Sequence, residues 1–188
     1  MNKPTAGLGL TGSFCTFSSL IKELPALCGQ FHIIPVLSKA ATIDTRFGKA
    51  KELCQTAEDI CKNRGIYTVA QAEPLGPARP LDYLIICPCT SNTMAKLALG
   101  ICDTPVTMAA KAHLRRDGKI LICLASNDAM GAGMKNLAAL AVRKNYFFAP
   151  MRQDDIKNKP YSLVCDFSQV RDAYRLMKEG KQLRPLFL

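Results

Sequence analysis

Leu81-Asp82-Tyr83-Leu84-Ile85-Ile86-Cys87-Pro88-Cys89-Thr90-Ser91-Asn92-Thr93 is the stretch on which the fold turns. The run from Leu81 to Cys87 is strongly apolar, as in a strand buried on both faces, and it stops at Pro88. Asn92 to Leu99 then has helical composition. A buried strand that empties through a short polar turn into a helix is the unit of a parallel α/β sheet.

The same order repeats on either side. Upstream, Thr5–Leu10 is apolar, Thr11-Gly12-Ser13 forms a tight loop, and Phe17, Leu20, Ile21, Leu24 and Leu27 follow at helical spacing. Phe31–Leu37 is a second strand, 38–47 a polar loop, and Ala50, Leu53, Cys54, Ala57, Ile60 and Cys61 mark the inner face of a second helix. Gly65 ends that helix, Ile66–Val69 reads as a short strand, and the Pro-rich stretch 73–80 reads as a surface loop. Downstream, Pro105 opens a helix through Leu114. Ile120–Leu124 is a strand, Ser126-Asn127-Asp128 a loop, and 133–144 a helix. Tyr146–Phe148 is a last short strand, 150–160 a polar loop, and Ser168–Lys178 an amphipathic closing helix. Six strand-like runs alternating with helices predict an α/β chain with a parallel sheet of about six strands, covered on both faces, as a single domain spanning 1–188. Ligands of such sheets bind outside the carboxyl ends of the strands, near the point where strand order reverses.

Composition narrows the function classes. Lys and Arg exceed Asp and Glu by 25 to 15, a net charge of +10, which points to anionic partners. The basic residues are dispersed, with Arg115-Arg116 an adjacent pair, and Trp is absent, so no basic, aromatic-laced nucleic-acid footprint appears. Nine scattered cysteines without C-x-x-C spacing indicate a reducing compartment, and His32 and His113 give no metal-ligand spacing. The start at Met1 lacks the apolar stretch of a signal peptide, and no run approaches a membrane span. The expectation is a cytoplasmic protein without a metal site.

Two loops carry the chemistry. Gly9-Leu10-Thr11-Gly12-Ser13 offers hydroxyls and a helix start whose N–H groups attract anions. It is neither G-x-G-x-x-G nor a Walker sequence, because the later Gly is missing and no Lys follows Gly12. Pro88–Thr93 places three hydroxyls and a carboxamide at a second helix start. Together they suit a phosphate and the carbonyl-rich edge of a ring cofactor, but supply no general base. The competing reading of both loops is helix capping, by Ser13 in one and by Thr90 or Ser91 in the other.

Gly12-Ser13, the segment Pro88-x-Thr90-Ser91-Asn92-Thr93-x-Ala95-Lys96-x-Ala98-x-Gly100-Ile101-x-Asp103 and the positions around Ser126-Asn127-Asp128 resemble the FMN-binding flavoprotein family that includes the flavin-containing cysteine decarboxylases. Asp44–Gly48, Ala72–Pro77, Met108–Ala112, Ser126–Gly131, Gln153–Asp155 and Gly180–Pro185 extend the likeness over essentially the whole chain. Within the family the chain is most similar to the flavoprotein-like subunit of a two-subunit enzyme of spore-forming bacteria. The resemblance implies a Rossmann-like three-layer fold and an FMN pocket formed with Gly12, Ser13, Ser38, Thr90, Ser91, Asn92 and Thr93. It also implies self-association and a separate NADP-binding partner subunit, the pair oxidising a dihydrodipicolinate-type precursor to pyridine-2,6-dicarboxylate.

Departures from the family pattern bear on the reaction. The decarboxylases use a His before the fourth strand, and residues 60–81 contain none. Asp128 falls where they have an apolar Pro-x-Met pattern; it could orient a proton carrier, contact a ribityl hydroxyl or cap a turn. Arg46 could clasp a carboxylate of a dicarboxylate substrate, with Lys111 a lesser candidate. Arg46 and Asp128 are therefore the candidates for a catalytic role, against solvated-loop readings of each. Cys89 reads as a small space-filling residue, and His113 and His32 as structural. Three functions stay open: an oxidoreductase subunit, a flavin-fold assembly module without turnover, and a flavin-dependent decarboxylase.

Overall fold

Strand β1 (Thr5–Leu10) lies between two parallel neighbours, β2 (His32–Leu37) on one side and β3 (Tyr83–Cys89) on the other. The fold is a computed structural model that describes residues 3–46, 48–76 and 78–188. Phe47 and Pro77, which belong to two of the family-like segments, lie outside the described residues. Parallel β4 (Ile120–Ser126) follows β3, and β5 (Tyr146–Phe148) pairs in parallel with the first half of β4. The second half of β4 turns to an antiparallel neighbour, β7 (Leu163–Cys165), which pairs with β6 (Met151–Arg152). Among the described residues the sheet has seven strands in the order β2-β1-β3-β4-β7-β6 with β5 alongside β4, so strand order reverses between β1 and β3.

The alternation of side chains builds the three layers. Ile85 and Cys87 of β3 and Leu121 and Cys123 of β4 face one core, under α1 (Phe17–Gln30), α2 (Ala50–Cys61) and α7 (Val170–Lys178). Leu84 and Ile86 of β3 and Ile120, Ile122 and Leu124 of β4 face the other, under α3 (Val69–Ala72), α4 (Ser91–Leu99), α5 (Pro105–Leu114) and α6 (Met134–Ala141). Period two on a strand buried from both sides requires apolar residues at every position, which is the pattern read at 81–87. Each such side chain contributes roughly 1.5–3 kcal/mol by leaving water. Cys89 is fully buried in the second core, and burial pushes its thiol up, as its space-filling role requires.

Several expectations are corrected. Ile66–Val69 is not a strand: Ile66 makes one bridge to Val36, and Thr68 then caps α3 in a reciprocal box with Gln71. The stretch 73–80 is not all surface, since Leu75 is buried against α5 and its neighbours. Pro88 does not end β3. The strand continues through it to Cys89, and the pairing with β4 shifts register between Ile86 and Cys89, because Pro offers no N–H to the ladder. The helix expected over 133–144 ends at Ala141, and the expected polar loop 150–160 is bracketed by the antiparallel strands β6 and β7. Among the described residues no helix is long and apolar enough to cross a membrane.

Residues 179–188 finish the sheet's edge. Gln182 accepts from the Phe148 N–H (2.9 Å) and donates to the Phe148 carbonyl (2.7 Å), as a neighbouring strand would. Beyond it, Met151 exchanges backbone hydrogen bonds with Leu186 and Leu188. The tail thus covers backbone that would otherwise be an open edge.

Candidate functional site

At the carboxyl ends of β1, β3 and β4 three loops converge, as the strand-order reversal predicts. Thr11 joins the first two. Its buried hydroxyl donates to the Pro88 carbonyl (2.8 Å) and accepts from the Thr90 N–H (2.9 Å), so the loop after β1 and the loop after β3 are bolted together by one side chain. Gly12 follows because the chain passes close to the turn after β2: a Cβ at this position would stand 2.9 Å from the Ala40 Cβ. Its lack of a side chain serves packing between loops rather than access to a ligand.

Ser13 does not cap α1. Its hydroxyl makes no hydrogen bond to the helix backbone and instead accepts from Thr16 Oγ1 at 3.2 Å, while Thr16, the residue before α1, provides no side-chain cap either. The 3₁₀ turn Phe14–Thr16 runs into α1 and takes the Thr16 and Phe17 N–H groups onto the Ser13 and Phe14 carbonyls, so the end of this helical run that faces an anion is the start of the turn, beside Ser13. Thr90 does cap, its hydroxyl accepting from the Thr93 N–H at 3.4 Å, and places Ser91 and Asn92 at the start of α4.

The third loop follows β4. The Asp128 carboxylate accepts from Ser126 Oγ at 2.5 Å, and the turn closes as the Gly131 and Gly133 N–H groups bond the Asp128 carbonyl. Gly133 lets the start of α6 rest on Ser91, whose Oγ would be 2.7 Å from an added Cβ. The Ser126 hydrogen bond, assisted by Ser91 against a smaller desolvation cost, holds Asp128 below the usual carboxylate range. It is an ionised acceptor at neutral pH and a weak proton acceptor.

These loops enclose a cleft of about 590 Å³, lined by Gly12, Ser13, Thr90, Ser91, Asn92, Arg46, Asp128 and their neighbours. A volume in this range suits a small-molecule or cofactor site. Arg46 reaches it from a turn closed by reciprocal Thr45 and Gly48 backbone hydrogen bonds, with Asp44 Oδ1 accepting from the Ala50 N–H at the start of α2. Two expected cofactor residues do not line the cleft. Ser38 is buried and caps the 3₁₀ turn over Lys39–Thr42, and Thr93 is buried behind Thr90, whose hydroxyl donates to it at 3.2 Å. Lys111 is also elsewhere, its ammonium 3.5 Å from the Cys102 sulfur. His113 is buried at the end of α5, with Nε2 donating to the Lys119 carbonyl at 3.0 Å.

The sequence reading missed two contributors. Thr11 was seen only as one hydroxyl of a loop. Asp154, from the segment between β6 and β7, lines the cleft as well, bonded by Ser162 Oγ and ion-paired to Lys159 at 3.0 Å. Its one signal was its place in the family-like segment Gln153–Asp155. The charged lining is thus Arg46, Asp128 and the neutralised Asp154, so the attraction for anions comes from helix starts and Arg46 rather than from the chain's net charge. Among the described residues no group of His, Cys, Asp and Glu could hold a metal ion.

The chain is similar to known proteins in sequence and in fold. The dipicolinate synthase B subunit of Bacillus subtilis (strain 168) is 36% identical over 184 residues, covering 97% of this chain and 92% of the relative. The crystal structure of the dipicolinate synthase B subunit from Bacillus halodurans C matches with a TM-score of 0.89 and 32% identity, over 100% of this chain and 98% of that one. An FMN-dependent cysteine decarboxylase shares the fold at a TM-score of 0.67 and 19% identity, over 94% and 97% of the two chains. The sequence profile of the Flavoprotein family matches residues 1–172, and with relatives of this identity over nearly its full length, the chain belongs to the Flavoprotein family.

Proposed function

We propose that this chain works as the B subunit of a dipicolinate synthase, binding FMN in the cleft and, with the NADP-binding A subunit of that enzyme, forming dipicolinate from dihydrodipicolinate. The observation that carries the reading is the Thr11 bolt, which makes one cleft of two hydroxyl-bearing helix starts. Its residues fit the cofactor. Ser13 and the start of the 3₁₀ turn after it, with Ser91 and Asn92 at the start of α4, provide neutral donors for a phosphate and a ring edge. FMN, when bound, supplies two-electron redox chemistry at its ring.

The chain's own groups position the reactants. Arg46 clasps a carboxylate of the dicarboxylate ring with paired N–H donors. Asp128, held ionised, accepts from a ribityl hydroxyl or a ring N–H. Ser38 and Thr93 brace the lining from behind. Aromatisation removes a hydride and a proton; NADP⁺ held by the partner subunit would supply the hydride acceptor, and the proton would pass to solvent at the mouth of the cleft. The relatives named as dipicolinate synthase B subunits support the substrate and the partner, and a cytoplasmic, self-associating protein fits the same reading.

One observation favours a second reading, an assembly module that activates the NADP-binding partner without turnover: the described lining holds no His, and its carboxylates are not poised as bases. Reconstitution separates the two. Purified with the NADP-binding partner, the chain is expected to carry FMN, identified by mass, and to raise dipicolinate formation from dihydrodipicolinate and NADP. Full activity of the isolated partner refutes both readings; activation by a chain freed of flavin leaves only the second.

A further inference from the structure

At the amino ends of β1 and β2, on the edge of the sheet opposite the cleft, a second hollow of about 720 Å³ opens beside Cys28 and Cys61. Cys28 sits near the end of α1 and Cys61 is the last residue of α2, and their sulfurs lie 3.9 Å apart. Cys28 is half-buried at the mouth and Cys61 is buried behind it. Cys15 and Cys102, also reached by solvent, face the Ser13 hydroxyl and the Lys111 ammonium rather than a second thiol. The charged side chains of the hollow are Lys3 and Lys62, joined by His32, and no carboxylate is among its described lining residues. Lys3 Nζ also donates to the Cys28 carbonyl at 2.9 Å, which holds its charge over the thiol.

We propose that Cys28 and Cys61 form a thiol–disulfide exchange site that takes an anionic small-molecule disulfide and closes to an intramolecular disulfide. Cys28 is the attacking sulfur. Burial holds its thiol above the ordinary value, with the Cys61 contact and Lys3 offsetting part of the rise, whereas burial and Cys28 both push Cys61 up. The Cys28 thiolate displaces one thiolate from R–S–S–R, leaving a mixed disulfide. Cys61 gives up its proton, attacks the Cys28 sulfur and expels the second thiolate. Two protein thiols are oxidised, and the small disulfide takes two electrons and two protons to become two thiols.

Bond formation needs the sulfurs to close to about 2.0 Å, a movement within reach of two side chains at helix ends. Lys62, beyond Cys61, already leaves helical geometry in the left-handed region (φ 53°). The closed loop would enclose β2, Ser38 and the Arg46 turn, tying the state of this pair to one wall of the cleft.

Peptide mapping without reduction tests the proposal on the full chain treated with glutathione disulfide, and with bis(2-hydroxyethyl) disulfide as a neutral probe. A Cys28–Cys61 linked peptide is expected in the wild-type chain, and a single glutathione adduct on Cys28 in Cys61→Ala. A Lys3→Gln, Lys62→Gln variant should react with glutathione disulfide about tenfold more slowly while keeping its rate with the neutral probe. Absence of the linked peptide, or an adduct on Cys15 or Cys102 in place of Cys28, overturns the exchange site. Equal rates with the two probes in the wild-type chain overturn the anionic preference. Wild-type mapping stands even where a variant fails to fold.

Discussion

Thr11 has one hydroxyl and satisfies two backbone groups with it, both across the strand-order reversal at the end of β3. Thr11→Val keeps the shape and removes both bonds, leaving the buried Pro88 carbonyl and the half-buried Thr90 N–H without this partner. The expected cost is about 2–4 kcal/mol, read as a lower urea midpoint, with weaker flavin binding, and Thr11→Ser should recover most of both. Arg46 gives a second test at this scale, resting on the proposed substrate. Arg46→Gln should weaken dipicolinate binding about 10- to 100-fold by calorimetry, and Arg46→Lys should rescue little of it, because an ammonium cannot reproduce two parallel donors. Unchanged affinity in Arg46→Gln would place the carboxylate elsewhere. Gly12, Ser13, Thr90 and Ser91 were legible because strand, turn and helix start fall in that order along the chain. The Thr11 bolt was not, since a loop threonine looks alike whether its partner is water or a strand 77 residues away. Ser38 and Thr93 came from family likeness, and the structure turns both inward.

At the scale of elements, the apolar strands β1, β3 and β4 were readable because burial on both faces leaves no polar position to mislead. The hairpin strands β6 and β7 were not. They are two and three residues long, one pairs antiparallel at a sheet edge, and Asp154, Asp155, Lys157 and Lys159 between them read as solvent-facing loop. Ile66 failed for the opposite reason: a β-rich tetrapeptide was overruled by the Thr68–Gln71 capping box that follows it. The sheet's β5 edge depends on one side chain, Gln182, which stands in for a strand at Phe148. Gln182→Leu should cost about 1–3 kcal/mol in chemical unfolding and speed hydrogen exchange at the Phe148 amide. An unchanged exchange rate there would show that the tail does not protect this edge.

The whole molecule carries +10, yet the cleft's charged lining is one arginine and two aspartates, so the surplus lies on other surfaces, where net charge informs about partners and not about this site. The ionisable groups nevertheless set how the whole fold responds to acid, and two windows separate. Burial, partly offset by the hydrogen bond to Lys119, depresses His113 below 6.5, so the native state prefers it neutral. Its contribution is complete above that value and is lost as pH falls below 6.5 towards the lowered folded value, where the unfolded chain binds the extra proton. Asp128 is depressed chiefly by Ser126; in Asp154 and Asp166, burial works against the shift and hydrogen bonds from Ser162 and from Ser168 and Gln169 overcome it. Their contribution is present above 3.8 and is lost as pH drops through the depressed values. Urea unfolding should therefore be flat between about pH 7 and 8, soften from about 6.5 with a slope of no more than about 1.4 kcal/mol per pH unit, and fall again below about 3.8. His113→Gln, which keeps a donor for the Lys119 carbonyl, should erase the first loss and spare the second. A first loss that survives that substitution would assign it to groups other than the buried imidazole.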